Sequence, residues 1–259
     1  MQGAAFGREN IVNQTAIDQQ SRDGRGAAAP ARVPSVFEQA FLSGAQGVTS
    51  VLLVRHGHQD YDRDGPVGAM FDPPLSELGR SQARLVGAAL SAEHVDVVYA
   101  SPLRRALDTG REIARRHGLE PVVIEDLREV GIFRDVPPYE TPLGFFGEQR
   151  LAAVRERMLR EKRWDAFPYS ESSAGFRRRV VAAMESIIAA HPGERVVVAC
   201  HGGVINAYIA HVVDSAYDML FQPAHTSISA LSARDGTRAL QSLNHVGHLL
   251  TAEGSFHSV

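Results

Sequence analysis

Hydrophobic positions follow two alternating patterns from about residue 49 onward. Predominantly apolar runs predict buried strands, and these runs are VLLV (51–54), VDVVYA (95–100), PVVIED (121–126) and RVVVAC (195–200). Between them, apolar residues recur every three or four positions, which predicts amphipathic helices at 75–90, 103–118, 148–162, 174–190 and 204–213. Two later runs, SISALSA (227–233) and RALQSLN (238–244), predict two further strands.

Strands that are apolar on both faces and separated by helices are typical of a largely parallel sheet covered on both sides. Short connections and right-handed crossovers then favour an α/β fold of the three-layer α/β/α sandwich type. The pattern contains neither an internal repeat nor a linker, so we expect residues 49–252 to form one domain.

The segments that flank this domain have a different character. Residues 1–34 are rich in Gly, Ala, Gln and Arg and show no sustained period, so we expect a disordered N-terminal tail. Ser35 and Glu38 have the spacing of a capping box, which predicts a short helix and a linker within residues 35–48. Residues 253–259 are expected to form a C-terminal tail.

Composition limits the possible partners and compartments. The 259 residues carry a formal net charge of −3, which argues against a general nucleic-acid or anionic-membrane binder. No apolar run approaches the length of a membrane span. A single cysteine, Cys200, excludes an intramolecular disulfide framework, and the N-terminus lacks the features of a secretory signal. We therefore expect a cytoplasmic protein.

Ligands of such sheets bind beyond the carboxyl ends of the strands, so the residues at those ends are the candidates for chemistry. They are Arg55, His56 and Gly57 after the first strand; Ser101, Pro102, Arg104 and Arg105 after the second; Arg128 and Glu129 after the third; and His201, Gly202 and Gly203 after the fourth. Four strand ends thus bring arginine, histidine and one glutamate to the same edge of the sheet. Two of the four strands end in His-Gly.

These residue types indicate an anion pocket. Arginine side chains pair well with phosphate oxygens, and the backbone N–H groups of helices expected to begin after Gly57 and Gly202 also favour negative charge. Neutral imidazole can accept a phosphoryl group on nitrogen, and a carboxyl such as Glu129 can protonate a leaving alkoxide. The sequence therefore predicts a phosphate or phosphoryl-group site.

Other interpretations of the same residues are weaker. His56 and His58 form an H-x-H pair of the kind found in metal hydrolases, but arginines at the other strand ends would repel a cation. Cys200 and His201 are adjacent on a strand, so their side chains point to opposite faces and Cys200 is expected to be a buried small hydrophobe. The basic run Arg177–Arg179 is expected to form a solvated helix face.

Five segments, occurring in the family's order, make the chain resemble the histidine phosphatase superfamily, including its phosphoglycerate mutase branch. They are LLVRHG (52–57), DPPLSELGRSQA (72–83), YASPLRRALDT (99–109), LREV (127–130) and VVVACHGGVI (196–205). Asn244 and His248 in LNHVGHL resemble the family's closing segment. The resemblance extends over about residues 49–250 and implies a phosphoglycerate mutase-like fold for a catalytic domain.

The resemblance also implies roles for individual residues. His56 is similar to the nucleophile that becomes phosphohistidine, and Arg55 beside it is similar to a phosphate ligand. Arg105 resembles the second phosphate-binding arginine, and His201 resembles the histidine that polarises the phosphoryl oxygens. Glu129 resembles the proton donor. The family uses no metal or other cofactor, which implies none here.

Two positions near the site differ from a simple match to the family. Arg104 falls where the family is variable. Asp62 stands where many members have an asparagine that contacts the phosphoryl group, and a carboxylate there would repel a phosphate dianion unless it points away.

The predicted function is metal-independent hydrolysis of a small phosphorylated metabolite, with no nucleic-acid or membrane partner. A phosphoglycerate mutase is the alternative, but the segment 130–150 is aromatic and proline-rich, which favours hydrolysis and a partly apolar substrate. An inactive phosphate-binding module is a third interpretation, and it would not need His56 or Glu129. The sequence leaves the oligomeric state open, a homodimer being one option.

Overall fold

A six-stranded sheet runs through the part of the chain that this computed structural model describes, which is residues 35–250 without Arg63. The strands are β1 (Thr49–Arg55), β2 (Val97–Ala100), β3 (Val122–Val123), β4 (Arg195–Cys200), β5 (Ile228–Arg234) and β6 (Thr237–His245). Their order across the sheet is β3-β2-β4-β1-β5-β6. The first four pair in parallel, whereas β5 is antiparallel to both β1 and β6.

Helices cover both faces of this sheet. In chain order they are α1 (Val36–Ala40), α2 (Val67–Phe71), α3 (Glu77–Leu90), α4 (Arg104–Arg115), α5 (Pro142–Phe146), α6 (Glu148–Glu161), α7 (Ser173–Ala190) and α8 (Gly202–Val212). None of these helices combines the length and the apolar character needed to cross a bilayer.

Alternate strand residues enter two separate cores. Val196 and Val198 of β4 pack on one face against α7 and α8, where Met184 and Tyr208 are fully buried. Val197 points to the other face, where it joins buried residues of α3 and α4 such as Ile113. Because each strand supplies apolar side chains to both layers, continuous apolar runs are needed. The predicted three-layer α/β/α sandwich with a largely parallel sheet is confirmed.

The segments outside the sheet were predicted less completely. Helix α1 begins with the expected capping box, in which Ser35 and Glu38 each bond the other's backbone N–H. The tails predicted for residues 1–34 and 253–259 lie outside the described residues. Helices α2 and α5 have five residues each, too short to produce a helical period in the sequence.

The third strand is shorter than its apolar run. Only Val122 and Val123 pair with β2, and the chain then forms a 3₁₀ turn over Glu125–Leu127. This strand lies at the sheet edge, where Val122 and Val123 remain 45% and 47% exposed. An edge strand has one neighbour, so fewer of its residues are held in extended form. Glu129 therefore follows a turn rather than a strand.

The parallel pairing of β1 with β4 determines where the two histidines lie. Arg55 is in register with Cys200, and the His56 N–H donates to the Cys200 carbonyl at 2.9 Å. Each strand ends at this pair, so His56 and His201 leave the sheet side by side. The sheet order places them at the centre of the sheet rather than at its edge.

A pair of glycines allows helix α3 to pack against the loop that follows β1. A Cβ added to Gly57 would overlap the Gly79 carbonyl, and a Cβ added to Gly79 would overlap the His58 carbonyl. Both clashes involve backbone atoms, which cannot rotate away. The contact therefore requires glycine on both sides and holds the loop that carries His56.

We predict that Gly79→Ala lowers the free energy of unfolding by about 1–3 kcal/mol, because overlap with the His58 carbonyl outweighs the gain of roughly 1 kcal/mol in helix propensity. Urea unfolding measures this change. Arg84→Ala on the exposed face of α3 is the control and should change the value by less than about 0.5 kcal/mol. Equal stability of Gly79→Ala and the wild type would contradict the packing described here.

Candidate active site

His56 is held in one tautomer at the end of β1. Its side chain is buried, with the residue 3% exposed, and its Nδ1 lies 2.8 Å from the Gly57 carbonyl. A carbonyl oxygen can only accept, so Nδ1 carries the hydrogen and Nε2 keeps its lone pair. The Arg105 Nε–H points to that Nε2 at 3.3 Å. The nitrogen with the lone pair therefore lies beside a guanidinium.

The surroundings of His56 keep its ring neutral. Burial, followed by the neighbouring His201, Arg105 and Arg55, lowers the pKa of His56 well below its ordinary value. A neutral imidazole is the nucleophilic form, whereas a protonated ring has no lone pair to offer. The same cations that attract an anion thus preserve the reactive state of this histidine.

His201 lies against His56, with 5.1 Å between the ring centroids. It is fully buried, and its Nε2 lies 2.8 Å from the Ser101 hydroxyl. Burial, then the charges of Arg105, Arg55 and Arg179, lowers its pKa as well. Its Nδ1 is buried without a hydrogen-bond partner among the described residues, as is Nε of Arg55. Unpaired buried polar atoms are costly, and two of them beside His56 suit a polar ligand.

The two consecutive arginines of α4 both lie near Asp72 but differ in exposure. Arg105 is 4% exposed and donates to His56, as described above. Arg104 is exposed and pairs with Asp72, with 3.2 Å between Nε and Oδ2. Arg55 reaches across from β1, and its guanidinium donates to the Pro223 carbonyl at 2.5 Å. Arg55 and Arg105 are therefore the arginines beside the histidine pair.

Glu129 reaches the same place from the segment that follows the edge strand β3. One carboxylate oxygen accepts the Val130 N–H at 2.9 Å, and the other accepts the Gly203 N–H at 3.1 Å. A Cβ on Gly203 would overlap the Glu129 carboxylate, so glycine is required for this approach. Glu129 is also close enough to Arg55 and Arg105 for its charge to act on both.

Of the two helices predicted to begin at the site, the one at Gly202 is present and the one after Gly57 is not. Helix α8 begins at Gly202, as expected, and Gly202 lies beside Arg55 and Glu129 in a cavity of about 410 Å³. No helix begins directly after Gly57. The chain leaves Gly57 in a loop, where Gln59 forms a bridge with Leu75, and helix α2 starts only at Val67.

A cleft of about 500 Å³ opens above the histidines. His56, Arg55, Arg105 and Glu129 line its polar end. The walls further out combine apolar side chains with charged ones: Met70, Phe71, Ile132, Phe133 and Trp164, together with Tyr61, Arg128, Arg134, Glu171 and Arg179. A neighbouring cavity of about 330 Å³ shares Tyr61, Met70, Ile132 and Phe133 with this cleft. Ile132 and Phe133 belong to the aromatic, proline-rich segment 130–150 from which a partly apolar substrate was predicted, whereas Met70, Phe71 and Trp164 come from short elements without a sequence signature.

Phe133 occupies an unusual backbone conformation in that wall. Its φ is 58°, in the left-handed region that bulky residues rarely adopt. Its ring is buried and packs edge-on against Phe167, with 5.1 Å between centroids. The wall is thus held by packing strong enough to maintain a strained residue beside the cleft.

Two further histidines, His58 and His225, lie near His56. His58 Nδ1 lies 2.8 Å from the hydroxyl of Ser76, which caps α3. His225, which the sequence analysis did not identify, places its ring 5.6 Å from that of His56 and 5.3 Å from that of His58. Its Nδ1 also lies 3.3 Å from the His56 carbonyl. Within residues 35–250, no group of three or more His, Cys, Asp or Glu is arranged to hold a metal ion.

Asp62 does not direct its carboxylate into the cleft. The carboxylate accepts the Asp64 N–H at 2.9 Å within an exposed turn, and the neighbouring Tyr61 lines the cleft instead. A carboxylate at this position is therefore compatible with a nearby phosphate dianion.

Asn244 and His248, in the closing segment, brace the loop after α8. The Asn244 side chain accepts the Ala224 N–H at 2.7 Å, and His248 Nε2 lies 3.1 Å from the Thr226 hydroxyl. This loop carries Pro223, the partner of Arg55. The C-terminal segment thus supports one wall of the site from behind.

Two expectations about other residues have different outcomes. Cys200 is fully buried, and burial raises the pKa of its thiol, in agreement with a small core residue. The prediction that Arg177–Arg179 form a solvated face is wrong for two of the three. Arg177 pairs with Asp218, and Arg179 pairs with Glu171 at 2.8 Å, with 16% of the Arg179 side chain exposed. Asp218, 41 residues away, shields Arg177, and Glu171, eight residues away, shields Arg179.

Comparison with known proteins identifies the family. The model of the histidine phosphatase superfamily, branch 1, matches residues 51–246. Phosphoserine phosphatase 1 of Hydrogenobacter thermophilus is 30% identical over 211 residues, which cover 78% of this chain and 95% of that protein. The metal-independent phosphoserine phosphatase of Arabidopsis thaliana is also 30% identical, over 78% of this chain and 84% of that protein. The solved structure of YhfR from Bacillus stearothermophilus superposes with a TM-score of 0.65 at 27% identity, covering 77% of this chain and 98% of the other.

We predict that the His56 ring stays neutral in solution well below pH 6.5. NMR of histidine labelled with ¹⁵N, assigned with His56→Asn, should show a protonated Nδ1 and an unprotonated Nε2 at pH 6.5. Arg105→Gln should raise the midpoint of the titration, because that arginine contributes to the lowered pKa. A midpoint at or above 6.5 in the wild type would contradict the described environment.

Proposed function

The chain belongs to branch 1 of the histidine phosphatase superfamily, and from this premise we propose that it hydrolyses phosphate monoesters through a phosphohistidine on His56. The observation that carries the proposal is the arrangement at His56: a buried, neutral ring whose Nε2 faces the Arg105 Nε–H and whose centroid lies 5.1 Å from that of His201. Relatives named as phosphatases support hydrolysis as the reaction.

In the first step, the Nε2 lone pair of His56 forms a bond to phosphorus while the ester P–O bond breaks. Arg55, Arg105 and His201 donate to the phosphoryl oxygens, where negative charge is concentrated in the transition state. The leaving alkoxide takes a proton from the Glu129 carboxyl and departs as an alcohol. The products of this step are phosphohistidine and a Glu129 carboxylate.

In the second step, water attacks the phosphorus of the phosphohistidine. The Glu129 carboxylate accepts a proton from that water, and the N–P bond breaks so that its electron pair returns to Nε2. Inorganic phosphate leaves, and both His56 and Glu129 regain their starting states. Every proton and electron pair is accounted for by residues of this chain and water, with no metal in the cycle. Gly202, at the start of α8, adds a backbone N–H for the anion.

The walls of the cleft indicate the kind of alcohol that is released. The curated relatives are named for phosphoserine, and a small phosphorylated metabolite is the substrate class that we propose. The apolar residues beyond the phosphate end, together with the neighbouring cavity of about 330 Å³, favour esters whose alcohol part is at least partly apolar. Phosphatase names among the relatives and the apolar wall both favour hydrolysis over the mutase reaction. The cytoplasmic location stays a prediction of the sequence, which leaves the oligomeric state open.

We expect His56→Ala to abolish phosphate release, because His56 supplies the nitrogen that accepts the phosphoryl group in the proposed mechanism. Rapid quenching of the wild type with ³²P-labelled substrate should trap a label on His56 that is labile in acid and stable in base. His94→Ala is the matched control, since His94 is exposed at the opposite end of the sheet, and it should leave both results unchanged. Full activity of His56→Ala would refute the mechanism.

Chain length of the alcohol provides a separate test of the substrate class. For n-alkyl phosphates from ethyl to octyl, we expect kcat/KM to rise about two- to fourfold per methylene until the apolar space is filled. Leu143→Asp, at an exposed position that lines the neighbouring cavity, should flatten the rise while sparing ethyl phosphate. Leu159→Asp, on the exposed face of α6 and 79% exposed, is the control. A flat series in the active wild type would exclude an apolar alcohol site.

A further inference from the structure

Arg179 of helix α7 donates hydrogen bonds both to Glu171 and to the segment that contains Glu129. Its Nε and one terminal nitrogen each donate to the Glu171 carboxylate at 2.8 Å. The other terminal nitrogen donates to the carbonyls of Asp126 and Arg128, at 2.7 and 2.8 Å. The first terminal nitrogen also donates to the Glu129 carbonyl at 3.2 Å.

These contacts use the complete donor set of a guanidinium. Arginine has five N–H donors in a fixed planar fork, and the structure gives Arg179 five acceptors. Lysine has three donors on a single nitrogen and could not satisfy this set. The guanidinium carbon also lies 4.7 Å from the centre of the Phe176 ring, which limits movement in the remaining direction. Arg179 is therefore a rigid element and has no N–H left to bind a substrate.

Glu171 fixes the same segment a second time. Its carboxylate accepts the Gly131 N–H at 3.3 Å, and its own N–H donates to the Gly131 carbonyl at 2.6 Å. The salt bridge between Arg179 and Glu171 is largely buried, with 16% and 14% of the two side chains exposed. Arg179 and Glu171 together hold main-chain groups on both sides of Glu129.

Glu129 needs such support because the sheet does not supply it. The strand that precedes it, β3, has two residues and ends before the 3₁₀ turn at Glu125–Leu127. The carboxylate is held by backbone N–H groups of Val130 and Gly203, so its position depends on the course of the main chain at this point. By contrast, His56 follows a central strand that is paired on both sides.

We propose that Arg179, anchored by Glu171, is a positioning residue that places the Glu129 carboxyl for proton donation to the leaving alcohol. This inference rests on the proposed function of Glu129. The pair acts through Glu129, and Arg179 has no donor free to bind the phosphate, which Arg55, Arg105 and His201 hold. Its removal should impair the protonation of the leaving group more than the attack by His56.

The choice of leaving group separates these two effects. An alkyl ester such as phosphoserine needs a proton on its leaving oxygen, whereas 4-nitrophenyl phosphate releases a stabilised phenolate without one. The ratio kcat/KM covers the steps up to formation of phosphohistidine, so it excludes the later role of Glu129 in hydrolysis of the intermediate. A general loss of folded structure would reduce kcat/KM for both esters by the same factor.

We therefore predict that Arg179→Met lowers kcat/KM by about ten- to a hundredfold for phosphoserine and by less than about threefold for 4-nitrophenyl phosphate. Glu129→Gln should show the same selectivity with a larger loss. Adding Arg179→Met to Glu129→Gln should cost little more, because both changes remove one function. Arg178→Met, at the exposed neighbouring position, is the matched control and should match the wild type on both esters.

Thermal unfolding of each variant shows whether it is folded at the assay temperature. If Arg179→Met is not folded there, Glu171→Gln takes its place, since it keeps the arginine but weakens the anchor. Equal losses on the two esters, or no loss on phosphoserine, in a folded variant would overturn the positioning role. If Glu129→Gln itself lacks selectivity, the assignment of Glu129 as the proton donor fails, and the inference fails with it. If Glu129→Gln is selective but Arg179→Met, or Glu171→Gln in its place, is not, the inference is refuted and the proposed function stays intact.

Discussion

The parallel pairing of β1 with β4 is the interaction on which the site depends. One backbone hydrogen bond, from the His56 N–H to the Cys200 carbonyl, holds the last residues of the two strands in register. The residue after each strand end is a histidine, so the register brings the two rings within 5.1 Å of each other. A shift of one residue would turn one ring to the opposite face of the sheet. The apolar side chains on both faces of β1 and β4 make such a shift costly.

The charges beside the histidine pair have two effects at once. Arg55 and Arg105 create a strongly positive region, which suits a phosphate dianion. The same charges, with burial, hold both imidazoles in the neutral form and so keep a lone pair on His56. Buried cations are expensive unless they are paired. When the site is empty, the Glu129 carboxylate offsets part of their charge, which explains why an acid and two arginines can share one end of the cleft.

The sequence predicted the fold well because the sheet and the two large helical layers carry strong hydrophobic periodicity. It also predicted that Arg55, His56, Arg105 and His201 lie together, because all of them follow predicted strands at one edge. Tyr61, Trp164 and His225 were not predicted, since they come from loops whose course has no local signature. Arg179 was assigned to the solvent, because a basic run gives no sign of the carbonyl partners that long-range folding brings to it or of its pairing with Glu171.

The site therefore combines parts with different structural support. The phosphate end is built on central strands and on helix termini, where hydrogen bonds of the sheet fix the main chain. Glu129 lies beyond a two-residue edge strand, where the backbone has few ladder bonds. Precise placement of a proton donor requires its main chain to be fixed to a fraction of an ångström. In this protein a guanidinium from α7 bonds the carbonyls of that segment and so supplies the rigidity that the sheet edge lacks.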